Sequence, residues 1–346
     1  MVQVATDVPA LLHRREVVAY EQRLARVSYA YGVDLRRSAW LSTSTLGDPL
    51  IRSVDRSWNE LVAELSGSIL QDPARAAPVP LMEEIARLAH MLRAPLPGLR
   101  QLVRSSHALQ WPLVAALGTT RAAVQWLVVD SERLMALPAH ERTFLLAGAL
   151  ADLQCDHAPV ITAHLLAYRS DRGLGLVRTL LSPWAKVGMF SCDRAGLIGV
   201  GDLQLAMSAM RAHADNTVPW LPTRAPLDMR EPALADFDRS TTMARLRVLL
   251  RRQAESNAAA EAPTVAGAPR PAQTQTPEGE TPPDAPDESD APTREGGESS
   301  DPYRHEAKPQ SAAPPPSDDE ELARALAGAW SLARCDARLT RRLGLL

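Results

Sequence analysis

The chain has 346 residues, a net charge of −3, 45% apolar residues and only 4% aromatic ones. So few aromatics leave Leu, Val and Ala to build the core, which favours packed helices over a large sheet. The near-neutral charge excludes the basic face of a nucleic-acid binder or a polybasic membrane-surface protein.

No stretch approaches the ~18–20 uncharged apolar residues that cross a bilayer, and the N-terminus lacks the basic, apolar, small order of a secretory signal. The three cysteines, Cys155, Cys192 and Cys335, are far apart and form no C-x-x-C pair. Neither a disulfide framework nor a cysteine zinc site is expected. A soluble cytoplasmic protein is the expectation.

Residues 1–78 read as a helical N-terminal region. An amphipathic helix is predicted over 16–31, stopped by Gly32. A second over 54–70 places Val54, Trp58, Leu61, Val62, Leu65 and Ile69 on one stripe. Residues 79–253 form the predicted main domain. Its first helix, 81–93, carries Ile85, Leu88, Ala89 and Leu92 and ends before Pro95.

Residues 123–130, AVQWLVVD, break the helical rhythm with a short apolar, β-branched run, expected to be a buried strand. Pro138 stands where a first helical position is expected. Pro159 must kink or divide the long helix that follows, because it lacks an N–H and clashes with the preceding turn.

From 254 to 317 the chain is Pro, Ala, Glu, Asp, Ser, Thr and Gly with almost no large apolar residue. Such a segment cannot offset its conformational entropy by burial and is expected to be disordered, either as a plain spacer or as a partner-binding tether. Residues 318–346 regain periodicity as an amphipathic helix with acids at its start, arginines at its end and a stripe of Leu322, Leu326, Ala329, Trp330 and Ala333. That helix is expected either to dock on its own body or to bind an unidentified protein through residues 254–346.

Three motifs carry a family resemblance. VVDSERLMALPAHERTFLLAGALADLQCDH runs strand, turn, leucine pair, then an acid entering a helix. Met189-Phe190-Ser191-Cys192-Asp193-Arg194-Ala195-Gly196-Leu197 looks like Glu-Leu-x-x-Asp-Arg-x-Gly-Leu, and Ser240-Thr241-Thr242-Met243-Ala244-Arg245-Leu246-Arg247 like a late Thr-His-Pro-x-x-x-Arg. In this order, over residues 128 to about 250, they resemble the gluzincin metallopeptidases related to CAAX prenyl endopeptidase and the bacterial heat-shock membrane protease, in their soluble form.

The resemblance implies a zincin-like core and, in active relatives, two histidines one helical turn apart, a Glu general base and a carboxylate ligand from a second helix. Here the first His position is Gly148, the base position Ala149, the second His position Asp152 and the third-ligand position Met189. The late transition-state His falls at Thr242. Asp193, which orients a ligand in relatives, alone keeps its identity. Losing the set together lets the pocket close without stranding a buried charge, which would cost several kcal/mol. Gly148 costs roughly 1 kcal/mol against Ala in a helix interior, a cost that close helix packing there would offset.

The expected fold is therefore α+β, mainly helical, with a degenerate zincin-like core, a short strand region, a disordered linker and a C-terminal helix. The expected function is that of a non-catalytic peptidase homologue, a pseudopeptidase that binds or scaffolds, with no catalytic residue, cofactor or metal. The alternative is an active zinc endopeptidase with an atypical centre of Asp152, Asp193 and His157. Against that centre, Asp152 reads equally as a paired or solvated polar residue, His157 and His164 as surface residues, and Asp193 with Arg194 as a capping or salt-bridging pair. No nucleophile motif is present. Cys155 is too close along the helix to face His157, and Cys192 reads as core. Gly196, Gly199 and Gly201 follow no phosphate-binding pattern and are assigned to helix packing.

Overall fold

A computed structural model of the chain describes residues 8–45, 47–68, 70–71, 78–102, 110–120, 124–169, 175–215, 218–261 and 317–345. Helices dominate, and the described strands form one small sheet. The N-terminal region is α1 (Val8–Tyr29), α2 (Gly32–Thr43) and α3 (Gly47–Ser68). The helix predicted to run to Tyr31 and stop at Gly32 ends instead at Tyr29, and Gly32 is the first residue of α2. The α3 stripe buries Val54, Trp58, Leu61 and Leu65 as its periodicity requires. Ile69, the last residue of the predicted stripe, lies outside the described residues, and Leu70 belongs to the two-residue strand β1 (Leu70–Gln71).

Next come α4 (Val79–Leu92), β2 (Gly98–Leu102), β3 (Val114–Leu117) and β4 (Trp126–Val129). Arg93, closing α4, adopts the left-handed conformation at φ 52°. The sheet order is β1-β2-β4-β3, with β2 and β4 parallel and the other pairs antiparallel. β4 thus lies between two neighbours and is buried throughout. That explains its unbroken apolar run in place of alternation. β3 forms one edge of the sheet and β1 the other.

A short helix, α5 (Ser131–Met135), is capped by Asp130, whose carboxylate accepts from the Arg133 N–H at 3.1 Å. The central helices are α6 (Ala139–Gln154), α7 (Ala158–Arg169) and α8 (Gly175–Val200). Pro138 is the residue before α6 rather than its first helical position. The proline-directed division before α7 is realised: Asp156 turns the chain at φ 62°, and Pro159 falls in the first turn of the new helix. α6 packs along α8, with Phe144 against Gly196 and Ala147 against Gly199; Leu146, Leu150 and Leu153 of α6 are buried as well, each side chain contributing about 1.5–3 kcal/mol.

Glycines set that contact, though not at the position expected. A Cβ on Gly196 would meet the Phe144 ring at 2.5 Å and one on Gly199 the Ala147 methyl at 2.9 Å, whereas one on Gly148 would sit 3.6–3.7 Å from Cys192, an ordinary contact. The close packing thought to offset the helix cost of Gly148 is therefore absent there. Gly201 serves the chain reversal after α8, at φ 78°, rather than helix packing.

The body closes with α9 (Leu203–Ala212), α10 (Leu227–Asp238) and α11 (Thr241–Glu261). α11 continues eight residues past the boundary placed at 253. The expected disorder of 254–317 concerns mainly residues 262–316, which lie outside the described residues.

The C-terminal segment differs from the predicted single helix. It is divided into α12 (Asp318–Leu326) and α13 (Leu332–Arg342) by a turn with Gly328 at φ 84°. In that turn Trp330 pairs with Ser240 as a parallel bridge, and the guanidinium groups of Arg239, Arg334 and Arg338 lie over its ring at 5.4, 4.2 and 5.1 Å. α13 docks on its own chain. Cys335 and Leu339 are buried, Asp336 accepts from the Gly32 N–H at 2.9 Å, and Arg338 and Arg342 reach Asp236 at 3.0 and 2.6 Å. Among the described residues no helix is long and apolar enough to cross a membrane.

Candidate functional site

α6, α7, α8, the β3 edge and the loop before α10 enclose a cavity of about 130 Å³. Gly148, Ala149, Asp152, Met189 and Asp193, far apart on two helices, all line it. Thr242 does not. It sits at the start of α11, half-buried, with its hydroxyl donated to the Ser28 carbonyl at 2.8 Å, so the late His position is not brought to the cavity.

Asp152 and Asp193 belong to separate networks. Asp193 takes a bidentate pair from Arg230 of α10, Nε at 2.8 Å and Nη2 at 2.6 Å, with both side chains about 4% exposed. Burial works against the Arg230 charge, and the adjoining Asp193 carboxylate more than offsets it, raising the Arg230 pKa above its ordinary value. Arg194 does not pair with Asp193. It donates to the Tyr29 carbonyl at 3.1 Å and forms an ion pair with Asp336 at 2.8 Å. Each residue of the expected salt-bridging pair is bridged to a different element.

Asp152 joins a buried chain of four polar side chains. Its Oδ1 lies 2.9 Å from His157 Nδ1 and accepts the Cys192 thiol at 3.0 Å. The other ring nitrogen of His157 lies 2.9–3.0 Å from both oxygens of Asp34, a fully buried residue of α2 that also accepts from Ser191 Oγ at 2.6 Å. Two carboxylates offer only acceptors, so both ring nitrogens must donate and the imidazole is held as its cation. Burial alone would lower its pKa. The Asp34 charge, then the hydrogen bonds to Asp152 and Asp34, outweigh burial and push it up to about 10. Burial, then the charge and hydrogen bond of Asp152, drive the Cys192 thiol well above its ordinary pKa, so it stays protonated and inert as a nucleophile. Gly188 makes room for this arrangement, since a Cβ there would lie 2.8–2.9 Å from the His157 ring.

Both histidines expected on helix surfaces are therefore interior. His157 is 8% exposed and His164 is 2% exposed. Burial and then the nearby Arg178 charge lower the His164 pKa to about 4, so it is neutral. The turn at Asp156 carries His157 under α8. It also lets Cys192 lie 3.8 Å from His157 Nδ1; Cys155 lies 3.9 Å from the Tyr29 hydroxyl and, contrary to the expectation from helix spacing, its sulfur also comes within 4.8 Å of the His157 ring.

Zinc, which the family resemblance implies, finds no family ligand set here. Gly148 and Ala149 bring no donor, Met189 brings only a thioether, Asp193 is spent on Arg230, and Asp152 alone remains. Two other groupings, Asp152–His157–Cys192 and Asp34–Cys155–His157, bring donor atoms within 4.8 Å of one another. His157, which both sets need, has each ring nitrogen engaged by a carboxylate, and each set also needs a thiol that burial keeps protonated. A metal would have to displace protons that the fold holds firmly.

Sequence reasoning missed Asp34, Arg224 and Arg230. Asp34 carried a weak signal, an acid in the first turn of a helix, but no local pattern tied it to His157. No protein-family model matches this chain, and neither the curated proteins nor the solved structures include a significant match.

Proposed function

We propose that this chain is a non-catalytic peptidase homologue whose cavity and docked C-terminal segment serve binding or scaffolding. The observation carrying this reading is convergence without chemistry. Five positions that the resemblance assigns to a metallopeptidase centre or its support meet at one cavity, yet Gly148, Ala149 and Met189 stand where two ligands and the base would be. A water needs a Lewis acid or a base to become a nucleophile at neutral pH. Asp152 and Asp193, which have acidic side chains, already accept from His157, Cys192 and Arg230. Partner binding through residues 254–346 belongs to the same proposal, although Cys335 and Leu339 of α13 are committed to the chain's own body.

The rival is an active zinc endopeptidase with an atypical centre. The closeness of Asp152, His157 and Cys192 favours it; the Asp193–Arg230 pair weighs against the version built on Asp193. Elemental analysis of the purified full chain, paired with cleavage of casein and fluorogenic peptides, separates the two. Protein free of stoichiometric zinc and without cleavage is expected. Zinc bound one-to-one and lost in Asp152→Ala, with peptide cleavage lost alongside, would overturn the non-catalytic reading.

A further inference from the structure

The cavity walls are largely apolar, with Phe144 and Leu145 from α6, Val160 and Ile161 from α7, Met210 from α9 and Leu221 from the loop before α10. An engineered apolar cavity of about 150 Å³ holds benzene, so about 130 Å³ here admits an apolar body of comparable size. Small-molecule sites typically combine such walls with a few polar groups that fix the ligand's orientation.

One charged group on the lining has no counter-ion in contact. Asp152 accepts from His157 and Cys192, Asp193 from Arg230, and the nearby Glu141 lies 2.9 Å from His213. Arg224, in the loop that closes the cavity, donates one N–H to the His213 carbonyl and makes no ion pair among the described residues. A guanidinium carries five donors, and none of the Arg224 nitrogens is among the buried polar atoms left without a partner. Its remaining donors are accordingly reachable by a ligand. Burial, and then the charge of neighbouring Arg230, lower its pKa, so an anion beside it would stabilise a cation that the protein leaves under-compensated.

We propose that this cavity binds a small monocarboxylic acid, its apolar body between the β3 edge and α7 and its carboxylate on Arg224. The planar guanidinium fork matches a carboxylate in two parallel hydrogen bonds. The apolar walls discriminate against dianions and phosphate esters, whose second charge would lose its hydration without a partner. This ligand class deepens the binding reading above. The two fail separately, since zinc and cleavage decide the first and ligand affinity decides the second.

Isothermal titration of the full chain with phenylacetate, and with neutral phenylacetamide of the same shape, tests it. Phenylacetate is expected to bind with a preference over the amide on the order of tenfold or more, the worth of a charge-assisted hydrogen bond. Arg224→Met, which keeps the length and apolar stem, removes that preference. Arg224→Lys keeps the charge without the fork and retains part of it. Thermal denaturation establishes that both variants are folded. No phenylacetate binding, equal binding of acid and amide, or an undiminished preference in folded Arg224→Met overturns the proposal.

Discussion

The Asp193–Arg230 pair of the cavity wall and the Asp236–Arg338 pair of the C-terminal seam join the same two side chains at similar distances, 2.6–2.8 Å and 3.0 Å. Their surroundings differ. Both members of the first are about 4% exposed, whereas Arg338 is 47% exposed and its partner Asp236 only 7%. In the cavity wall neither charge can recover water if its partner is lost. At the seam Arg338 returns to solvent, and Asp236 keeps Arg342 at 2.6 Å. The first pair is thus an obligatory feature of the packed interior, and the second is one adjustable contact among several that hold a docked helix.

The largest test of this contrast is Arg230→Met. It leaves the Asp193 carboxylate buried without its partner and is expected to cost about 3–5 kcal/mol in chemical denaturation. Asp193→Asn in the same chain is expected to recover part of that loss, and full additivity of the two changes would show that the pair is not coupled.

Next in size is the Asp34–His157–Asp152 chain, read by pH. The folded-state pKa of His157 is about 10 against an ordinary value of 6.5. Its contribution is therefore complete below about pH 6.5 and is lost as pH rises from there through about 10. Urea midpoints measured from pH 6 to 10 are expected to fall across that window in the native chain. Asp34→Asn is expected to lower stability by about 1–3 kcal/mol near neutrality and to flatten the slope. An unchanged slope would remove the imidazolium from the account.

At the seam, Arg338→Ala is expected to cost no more than about 1 kcal/mol, and less in high salt. A loss as large as that of Arg230→Met would abolish the distinction between seam and cavity. The smallest effect has the opposite sign. Gly148→Ala adds a methyl at ordinary contact distance from Cys192 and is expected to stabilise by about 0.5–1 kcal/mol through helix propensity, while Gly196→Ala, facing Phe144 at 2.5 Å, destabilises. Comparing their melting temperatures checks both signs.

Much of the local structure was legible because its signals are local. The stripe of α3, the α4 face and the unbroken apolar run of β4 each follow from spacing within a short window, and Pro159 placed the division between α6 and α7. β2 and β3, GLRQL and VAAL, carried no such signal. They are strands because β4 lies between them, which is a fact about pairing across the chain. Gly148, Ala149, Asp152, Met189 and Asp193, singled out in the sequence by the motif resemblance, all line one cavity. Thr242 does not, since its place depends on where α11 begins against α1.

The partners of those positions were illegible for the same reason. Asp34 lies on α2, Ser191 on α8 and His157 in the turn between α6 and α7, and the left-handed turn at Asp156 puts His157 inside rather than on a helix face. A single helix was read for 318–346 because its stripe is continuous in sequence, but Gly328 permits the turn that lets Trp330 bridge to Ser240.

The sequence by itself determined the helical character of the chain and its central buried strand. These depend on residue identity and on spacing within a few turns. Only the tertiary structure decided that Asp152 is spent on His157 and Cys192, that Asp193 is spent on Arg230, and that Arg224 is left facing an apolar cavity. A charge finds its partner by proximity in space, and burial then makes that choice binding, because an unpaired charge away from water costs several kcal/mol.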